Sequence, residues 1–299
     1  METRVTASRW RVLWDVLRRT ASNYRRRYAV TQAAAISFYS LFSLAPILIL
    51  VTAVAGTVFS EETVRSEIIR QFRELMGPRA ATMIEKLSEA PFDEEAGLPA
   101  RIIGVVAFVI GATAVFAQIQ RSLNRMWDVQ PQRGRPLLRV VLKRLLSFTL
   151  VVGIGFLLLV SLALSAAITG LQGYLEGHLH VAALALDGAN AVLSIAVFTV
   201  LFAAMYRFLP DVRIEWRDVW LGAFVTALLM TGGRWAIGVY VGRSGLASTY
   251  GAASSIVVVL FWVYLASLIV LFGAVFTRVW GLRRSDGDTA GGRSAQTRQ

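Results

Sequence analysis

The residue of this chain best suited to handling a charged molecule is Arg234, in the segment TGGRWAIG. It lies about 15 residues into the apolar run 219–241, or about 22 Å along a helix that rises ~1.5 Å per residue. A charge at such depth in a membrane costs about 2.5–3.5 kcal/mol, and none of the apolar runs contains Asp or Glu. Arg234 therefore either extends toward the outer headgroups, bonds to backbone carbonyls, or holds an anionic group. Gly232 and Gly233 would lower the cost of opening the helix beside it.

A second group of polar side chains lies in the first apolar run. Ser37, Ser40 and Ser43 recur at intervals of three, with Tyr39 beside them. Small hydroxyl residues on one helix face serve either as helix-packing contacts or as the wall of a polar path. Pro46 removes a backbone donor in the middle of the run and predicts a kink.

The segment YRFLPDVRIEWRDVW combines charges around a proline. Arg207 and Asp211 are four residues apart across Pro210, which predicts a rigid cytoplasmic turn held by local ion pairs, with a cytoplasmic gate as the alternative. Tyr250 and Tyr264 lie in or beside the last apolar run. Aromatic residues there are packing and interface residues or, alternatively, part of a substrate path.

Catalytic and metal-binding patterns are not found in the sequence. The chain has no Cys and only two His, His178 and His180, in a predicted outer loop with too few ligands for a metal site. The cytoplasmic acids are scattered among Arg residues, and no nucleophile–base pair or phosphate-binding glycine loop occurs. We therefore expect no enzyme activity, no metal and no cofactor.

The elements that must position these residues are apolar helices. The clearest is the run 252–277, where 26 consecutive residues carry no charge or His, enough for a helix of about 39 Å. Hydrophobic residues make up 56% of the 299 residues, which indicates a multi-pass membrane protein. We predict an all-α bundle of six spans: 33–59, 102–119, 145–171, 189–209, 219–241 and 252–277.

The distribution of positive charge predicts the orientation of the bundle. Of the 31 Lys and Arg, 23 lie in the N-terminal segment, the second and fourth loops and the tail, which places both termini in the cytoplasm. The net charge of +12 is thus a feature of membrane topology, and we expect contact with lipid rather than nucleic acid.

Three further segments complete the domain plan. Residues 1–30 predict an amphipathic helix in the cytoplasmic headgroup layer, with Trp10, Trp14, Leu17 and Tyr24 on its apolar side. Residues 60–100 predict an external helical hairpin between the first two spans, and residues 281–299 a disordered cytoplasmic tail.

Four segments carry highly specific motifs. They are AAAISFYSLFSLAPILI at 33–49, RSLNRMWDVQP at 121–131, YRFLPDVRIEWRDVWLGA at 206–223 and GLASTYGAASSIVVVLFWVY at 245–264. In them, and from about residue 25 to 280, the chain resembles the YihY/BrkB family of bacterial inner-membrane proteins, once mislabelled ribonuclease BN. The resemblance implies a six-span bundle in the cytoplasmic membrane, and family members are usually treated as transporters.

The chain departs from the family pattern at two positions of the last run. It has Leu268 and Val275 where the family commonly has Gln and Glu, seven residues apart on one helix face. Ion coupling through that pair of polar groups is therefore not expected in this protein.

Two functions remain compatible with these features. The first is a transporter or exporter of a lipid-like or amphiphilic anionic molecule; the alternative is a non-transporting membrane scaffold for envelope integrity. A homo-oligomer is compatible with both functions.

Overall fold

The computed structural model describes residues 3–55, 60–76, 78–89, 98–129, 180–212, 214–243 and 253–296. Within these ranges the chain forms eight α-helices and no strand. They are α1 (Thr3–Arg26), α2 (Ala29–Ala55), α3 (Glu61–Met76), α4 (Pro78–Glu89), α5 (Leu98–Trp127), α6 (His180–Phe208), α7 (Trp216–Arg243) and α8 (Ser254–Gln296). The prediction of an all-helical protein is confirmed.

Five of the six predicted spans fall on these helices, namely on α2, α5, α6, α7 and α8, and the span at 145–171 lies outside the described residues. By length and composition, two stretches of the described residues qualify to cross a membrane. Ala191–Phe208 has a mean hydropathy of 1.9, and an 18-residue window of the 31-residue stretch Ser254–Arg284 reaches a mean hydropathy of 2.7. A third is added if Trp14–Arg26 and Ala29–Ala45 are one bent span. The count of six and the orientation stay predictions.

The chain divides into two compact units, which we describe separately. Unit 1 comprises residues 1–29, 123–229 and 269–299, and unit 2 comprises residues 30–122 and 230–268.

Helix α1 is packed differently from the predicted amphipathic helix. Val16 and Thr20 are fully buried, and the ring of Tyr24 meets that of Phe272 on α8 edge-on at 6.0 Å. Trp14, predicted on the same apolar side as Tyr24, is 72% exposed. Part of the predicted apolar side is therefore buried and part is exposed, because α1 packs against α8 through a narrower stripe of residues.

The hairpin region contains two helices of unit 2 that pack together, α3 and α4. Ser60 caps α3 by accepting the Thr63 N–H at 3.3 Å, and Val64 and Ile84 are buried. The helical pair agrees with the predicted hairpin, whose external position stays a prediction.

At the tail, α8 continues to Gln296, and the disorder of residues 281–299 stays a prediction. Contacts within unit 1 hold the helix past residue 281. Arg283 donates to the Val12 carbonyl at 2.8 Å, and Arg284 bonds to Asp218 at 3.1 Å. These side-chain contacts connect the helical turn at residues 281–284 to α1 and α7.

Candidate functional site

The C-terminal end of α5 is the centre of a polar cluster in unit 1. Asp128 follows the helix with a φ of 64°, and the Val129 N–H returns to the Asn124 carbonyl at 2.9 Å, which closes the helix end. Arg27 donates to the Arg125 carbonyl at 2.6 Å, and Arg278 donates to the Met126 carbonyl at 3.3 Å. Two guanidinium groups from α8 and the end of α1 therefore satisfy the last carbonyls of α5, where the helix dipole favours positive charge.

The same two arginines share one carboxylate. Asp128 lies 3.2 Å from Arg27 and 3.3 Å from Arg278, although 69% of its side chain is exposed. The hydrogen bond and charge of Arg27, and then those of Arg278, lower the pKa of Asp128 below its ordinary value. The Nε of Arg27 is buried and has no hydrogen-bond partner among the described residues. The cluster thus joins α1, α5 and α8 with one positive charge in excess.

Arg207 and Asp211, the two ends of the predicted ion-paired turn, each contact other residues. Arg207 donates to the Ile214 carbonyl, and its guanidinium lies 5.5 Å from the ring centroid of Trp216. Asp211 instead accepts the side-chain amide of Asn124 at 3.1 Å and donates its own N–H to that side chain at 2.8 Å. The turn after α6 is thus bonded to α5, which the local ion-pair prediction did not include.

Above this turn, α6, α7 and α8 meet at Tyr206, which is fully buried. Its hydroxyl donates to the Val270 carbonyl at 2.7 Å and lies 3.0 Å from the hydroxyl of Thr226. Its ring meets that of Trp127 edge-on at 5.7 Å. Because the buried hydroxyl contacts polar groups on both α7 and α8, Tyr206 rigidifies the junction of the three helices.

Two glycines make the close approach of α7 and α8 possible. Gly222 on α7 lies against Thr277 on α8, and Gly273 on α8 lies against Thr226 on α7. Each helix therefore presents a glycine and, four residues later, a threonine to the other helix, as in small-residue contacts between membrane helices. Each threonine also donates to the carbonyl of the glycine on its own helix, at 2.7 and 2.8 Å.

Arg234 lies in unit 2 on the second half of α7. Its side chain is half-buried, and the structure shows no ion pair or hydrogen bond from it to the residues it describes. The neighbouring Trp235 is 75% exposed, and a side chain at Gly232 would meet open space. The guanidinium thus has no ion-pair partner among the described side chains.

The serines of α2 are engaged with the backbone. Ser43 is buried and donates to the Gly111 carbonyl on α5, and Ser37 is buried and donates to the Ala34 carbonyl at 3.0 Å. Ser40 is half-buried. These bonds favour the helix-packing interpretation over the polar path. Helix α2 continues through position 46, so the kink at Pro46 stays a prediction.

A polar network that the sequence interpretation missed joins α2 and α5 in unit 2. The Gln118 amide donates to Gln32 and to Ser122, both at 3.2 Å, and Ser122 donates to Gln32 at 3.0 Å. Arg121 donates to Gln118 at 2.9 Å and lies 6.0 Å from the ring centroid of Tyr39. The available signal was the pair of glutamines at the cytoplasmic ends of the first two predicted spans.

The remaining candidate residues are those in or beside the last predicted span. Tyr250 lies outside the described residues, and Tyr264 is half-buried on α8. The nearby Trp262 has a buried indole N–H without a hydrogen-bond partner among those residues. Leu268 is half-buried and Val275 is fully buried, so a carboxylate at position 275 would be enclosed by protein.

The chemistry available in the described ranges is the binding of anions and polar groups by guanidinium, amide and indole donors. In those ranges no three His, Asp or Glu residues are grouped closely enough to hold a metal ion.

Comparison with curated proteins finds relatives that are named UPF0761 membrane proteins. The chain is 29% identical over 275 residues to a UPF0761 membrane protein of Alkalilimnicola ehrlichii, with 90% of this chain covered. It is 34% identical over 181 residues to one from Verminephrobacter eiseniae, with 59% covered, and 27% identical over 266 residues to one from Neisseria meningitidis serogroup B, with 88% covered. The chain spans 58%, 40% and 62% of the lengths of these three relatives.

No solved structure matches the chain. The family model described as virulence factor BrkB matches residues 20–298, which is nearly the whole chain and includes all four segments that carry the resemblance. The chain therefore belongs to the BrkB virulence-factor family of membrane proteins.

Proposed function

We propose that this protein is a transporter that moves a lipid-like or amphiphilic anion across the bacterial cytoplasmic membrane. The observation that supports the proposal is the state of Arg234, a half-buried cation on an apolar helix without a partner among the described side chains. A guanidinium in such surroundings needs a counter-anion, water or a headgroup. A transported molecule with a phosphate or carboxylate would supply the counter-anion, and its apolar part would suit the surrounding hydrocarbon.

A second donor of unit 2 supports the same chemistry. The indole N–H of Trp262 is buried without an acceptor among the described residues, although buried Trp N–H groups usually have one. The Arg234 guanidinium and the Trp262 indole N–H are both donors, which suit a negatively charged or carbonyl-bearing ligand. Val275 leaves no carboxylate on α8 to carry a coupling proton at that position.

Flux in liposomes tests the proposal. Purified protein is reconstituted, and translocation of a fluorescent phosphatidylglycerol is compared with that of a fluorescent phosphatidylcholine for wild type, Arg234→Leu and Arg234→Lys. A charge-assisted hydrogen bond contributes about 1.5–3 kcal/mol, so Arg234→Leu should slow anion translocation about tenfold to a hundredfold. Arg234→Lys should retain part of the rate because the charge remains.

Arg217→Ala is the matched control, because Arg217 is exposed at the start of the same helix and its loss removes the same charge. It should leave the rate unchanged. Equal rates for wild type and Arg234→Leu, with both proteins folded in the membrane, would reject the proposal.

The scaffold remains the second candidate, and the packed pair α3 and α4 favours it because such a hairpin offers a surface to a partner. Deletion of residues 62–95 separates the two functions. A scaffold would lose its effect on envelope integrity, whereas a transporter would keep residual flux in liposomes.

A further inference from the structure

A shallow groove of about 690 Å³ lies on the outward face of α1 in unit 1. It is lined by Arg18, Ala21, Ser22, Arg25, Arg26 and Tyr28. The lining residues of the helix are spaced by three, four, seven and eight, so they form one stripe. The two short side chains, Ala21 and Ser22, make the floor, and guanidinium groups stand about one turn away on either side.

The groove is strongly positive. Three of its six lining residues are arginines and none is acidic. The only acid within α1 is Asp15, and its carboxylate is 3.0 Å from Arg19 and 3.8 Å from Arg283. That charge is therefore already balanced by arginines outside the groove.

The C-terminal end of the groove is formed by Tyr28. This residue lies two positions after the end of α1, has a φ of 54°, and is 62% exposed. The guanidinium of Arg125 lies 5.2 Å from the centroid of the ring. Arg125 thus orders the tyrosine and adds a fourth cation beside the three that line the groove.

The exposed side of α1 also carries apolar groups. Trp14 and Leu17 are exposed and precede Arg18 and Ala21 by four residues each, so they extend the same stripe. The opposite side, with Val16 and Thr20, is fully buried against the protein. An exposed stripe of Trp, Leu and Arg is typical of a helix that contacts lipid headgroups, where Trp lies at the interface and Arg meets phosphates.

In the sequence, the residues that line the groove are followed directly by an apolar helix. Tyr28 is followed directly by Ala29, the first residue of α2, which carries the predicted span 33–59. Clusters of basic residues beside the cytoplasmic end of a span bind anionic lipids.

We propose that this groove binds the headgroup of an anionic phospholipid. Arg18, Arg25 and Arg26 hold the phosphate over the Ser22 hydroxyl, while Trp14 lies in the interface beside it. The site differs from the Arg234 path and needs no transport. The adjacent Trp14 and Leu17 favour a lipid over a polynucleotide, because a polynucleotide offers no hydrocarbon to cover them.

Native mass spectrometry of the full chain tests this site. Phosphatidylglycerol is titrated onto detergent-purified protein, with phosphatidylcholine in parallel, for wild type and for the triple variant Arg18→Gln, Arg25→Gln, Arg26→Gln. Gln keeps helix propensity and removes charge. The triple variant should lose at least about tenfold in affinity for phosphatidylglycerol, which corresponds to about 1.4 kcal/mol, because three charge-assisted bonds to the headgroup are lost. Retention of phosphatidylcholine should not change.

A charge-matched triple variant on α3, Arg65→Gln, Arg70→Gln, Arg73→Gln, provides the control and should bind as wild type does. Arg25→Gln alone gives a smaller loss and serves if the triple variant does not fold. Equal affinity of the groove variants and wild type would overturn the proposal. An equal loss in the control would overturn it too, as would equally effective competition by inorganic phosphate or tighter binding of a single-stranded oligonucleotide.

Discussion

The backbone of Gly222 on α7 lies directly against Thr277 on α8. A Cβ at residue 222 would meet the Thr277 Cβ at 2.8 Å and overlap its hydroxyl oxygen. The reciprocal pair repeats the relationship, because a Cβ at Gly273 would meet the Thr226 Cβ at 3.0 Å and overlap its hydroxyl oxygen. The two helices therefore approach each other at positions where only glycine fits.

Gly222→Ala should lower the free energy of unfolding by about 1–3 kcal/mol, because the added methyl group overfills the contact between α7 and α8. Thermal unfolding of the detergent-purified protein measures the loss. Gly188→Ala is the control: a Cβ there meets no atom within 4 Å, and the higher helix propensity of Ala stabilises by up to about 1 kcal/mol. Combining Gly222→Ala with Thr277→Ala should restore part of the stability. Equal effects at residues 188 and 222 would contradict the contact.

Asn124→Ala should destabilise unit 1 by about 1–3 kcal/mol, because it removes both hydrogen bonds to Asp211 and leaves a part-buried N–H without that acceptor. The control is Asn23→Ala, which removes one exposed bond within α1 and should cost less than about 0.5 kcal/mol. The unfolding temperatures of the two variants are compared with that of the wild type. A smaller effect at residue 124 than at residue 23 would count against the link between α5 and the turn after α6.

Tyr206→Phe should cost about 1 kcal/mol, because the ring and its contact with Trp127 remain while both hydroxyl contacts are lost. Tyr264→Phe is the comparison, since its half-buried side chain makes no hydrogen bond to the residues that the structure describes. Thermal unfolding should show a loss for the first variant and none for the second. If both variants unfold at the same temperature as the wild type, the Tyr206 hydroxyl does not stabilise the junction.

Asp128→Asn should be less stable than wild type at neutral pH, and the difference should vanish in acid. Arg27 and Arg278 lower the pKa of the folded carboxyl, so its stabilisation is present above the unfolded value of about 3.8 and is lost as pH falls through the folded pKa. Because the carboxylate is mostly exposed, the neutral-pH difference should stay below about 1 kcal/mol.

Asn tolerates the positive φ of residue 128, so this variant changes the charge and keeps the backbone. The unfolding temperatures of wild type and variant are measured from pH 7 to pH 3. A difference between them that is constant over this range would refute the assignment of the effect to the carboxylate.

The surroundings of a candidate residue could be predicted from the sequence where they depend on residues that are its neighbours in the chain. The depth of Arg234 in an apolar run is a property of neighbouring residues, so the sequence alone identifies it. For Arg207 the sequence was a poorer guide. An acid four residues away suggested an ion pair, but the guanidinium contacts a backbone carbonyl and the ring of Trp216. A guanidinium can satisfy its donors with any nearby oxygen, and composition does not rank those oxygens.

By itself, the sequence determined the helical class and the family. Long uncharged runs require a backbone that satisfies its own hydrogen bonds, and in a lipid-facing segment without alternating polarity that backbone is helical. Only the tertiary structure decided which residues meet. Asn124 and Asp211 are 87 residues apart in the sequence, and the buried side of α1 became the stripe of Val16 and Thr20 instead of the side of Trp14. Such pairings depend on how helices pack against one another, and helix packing is set by the shapes of two surfaces together, which the periodicity of one helix does not contain.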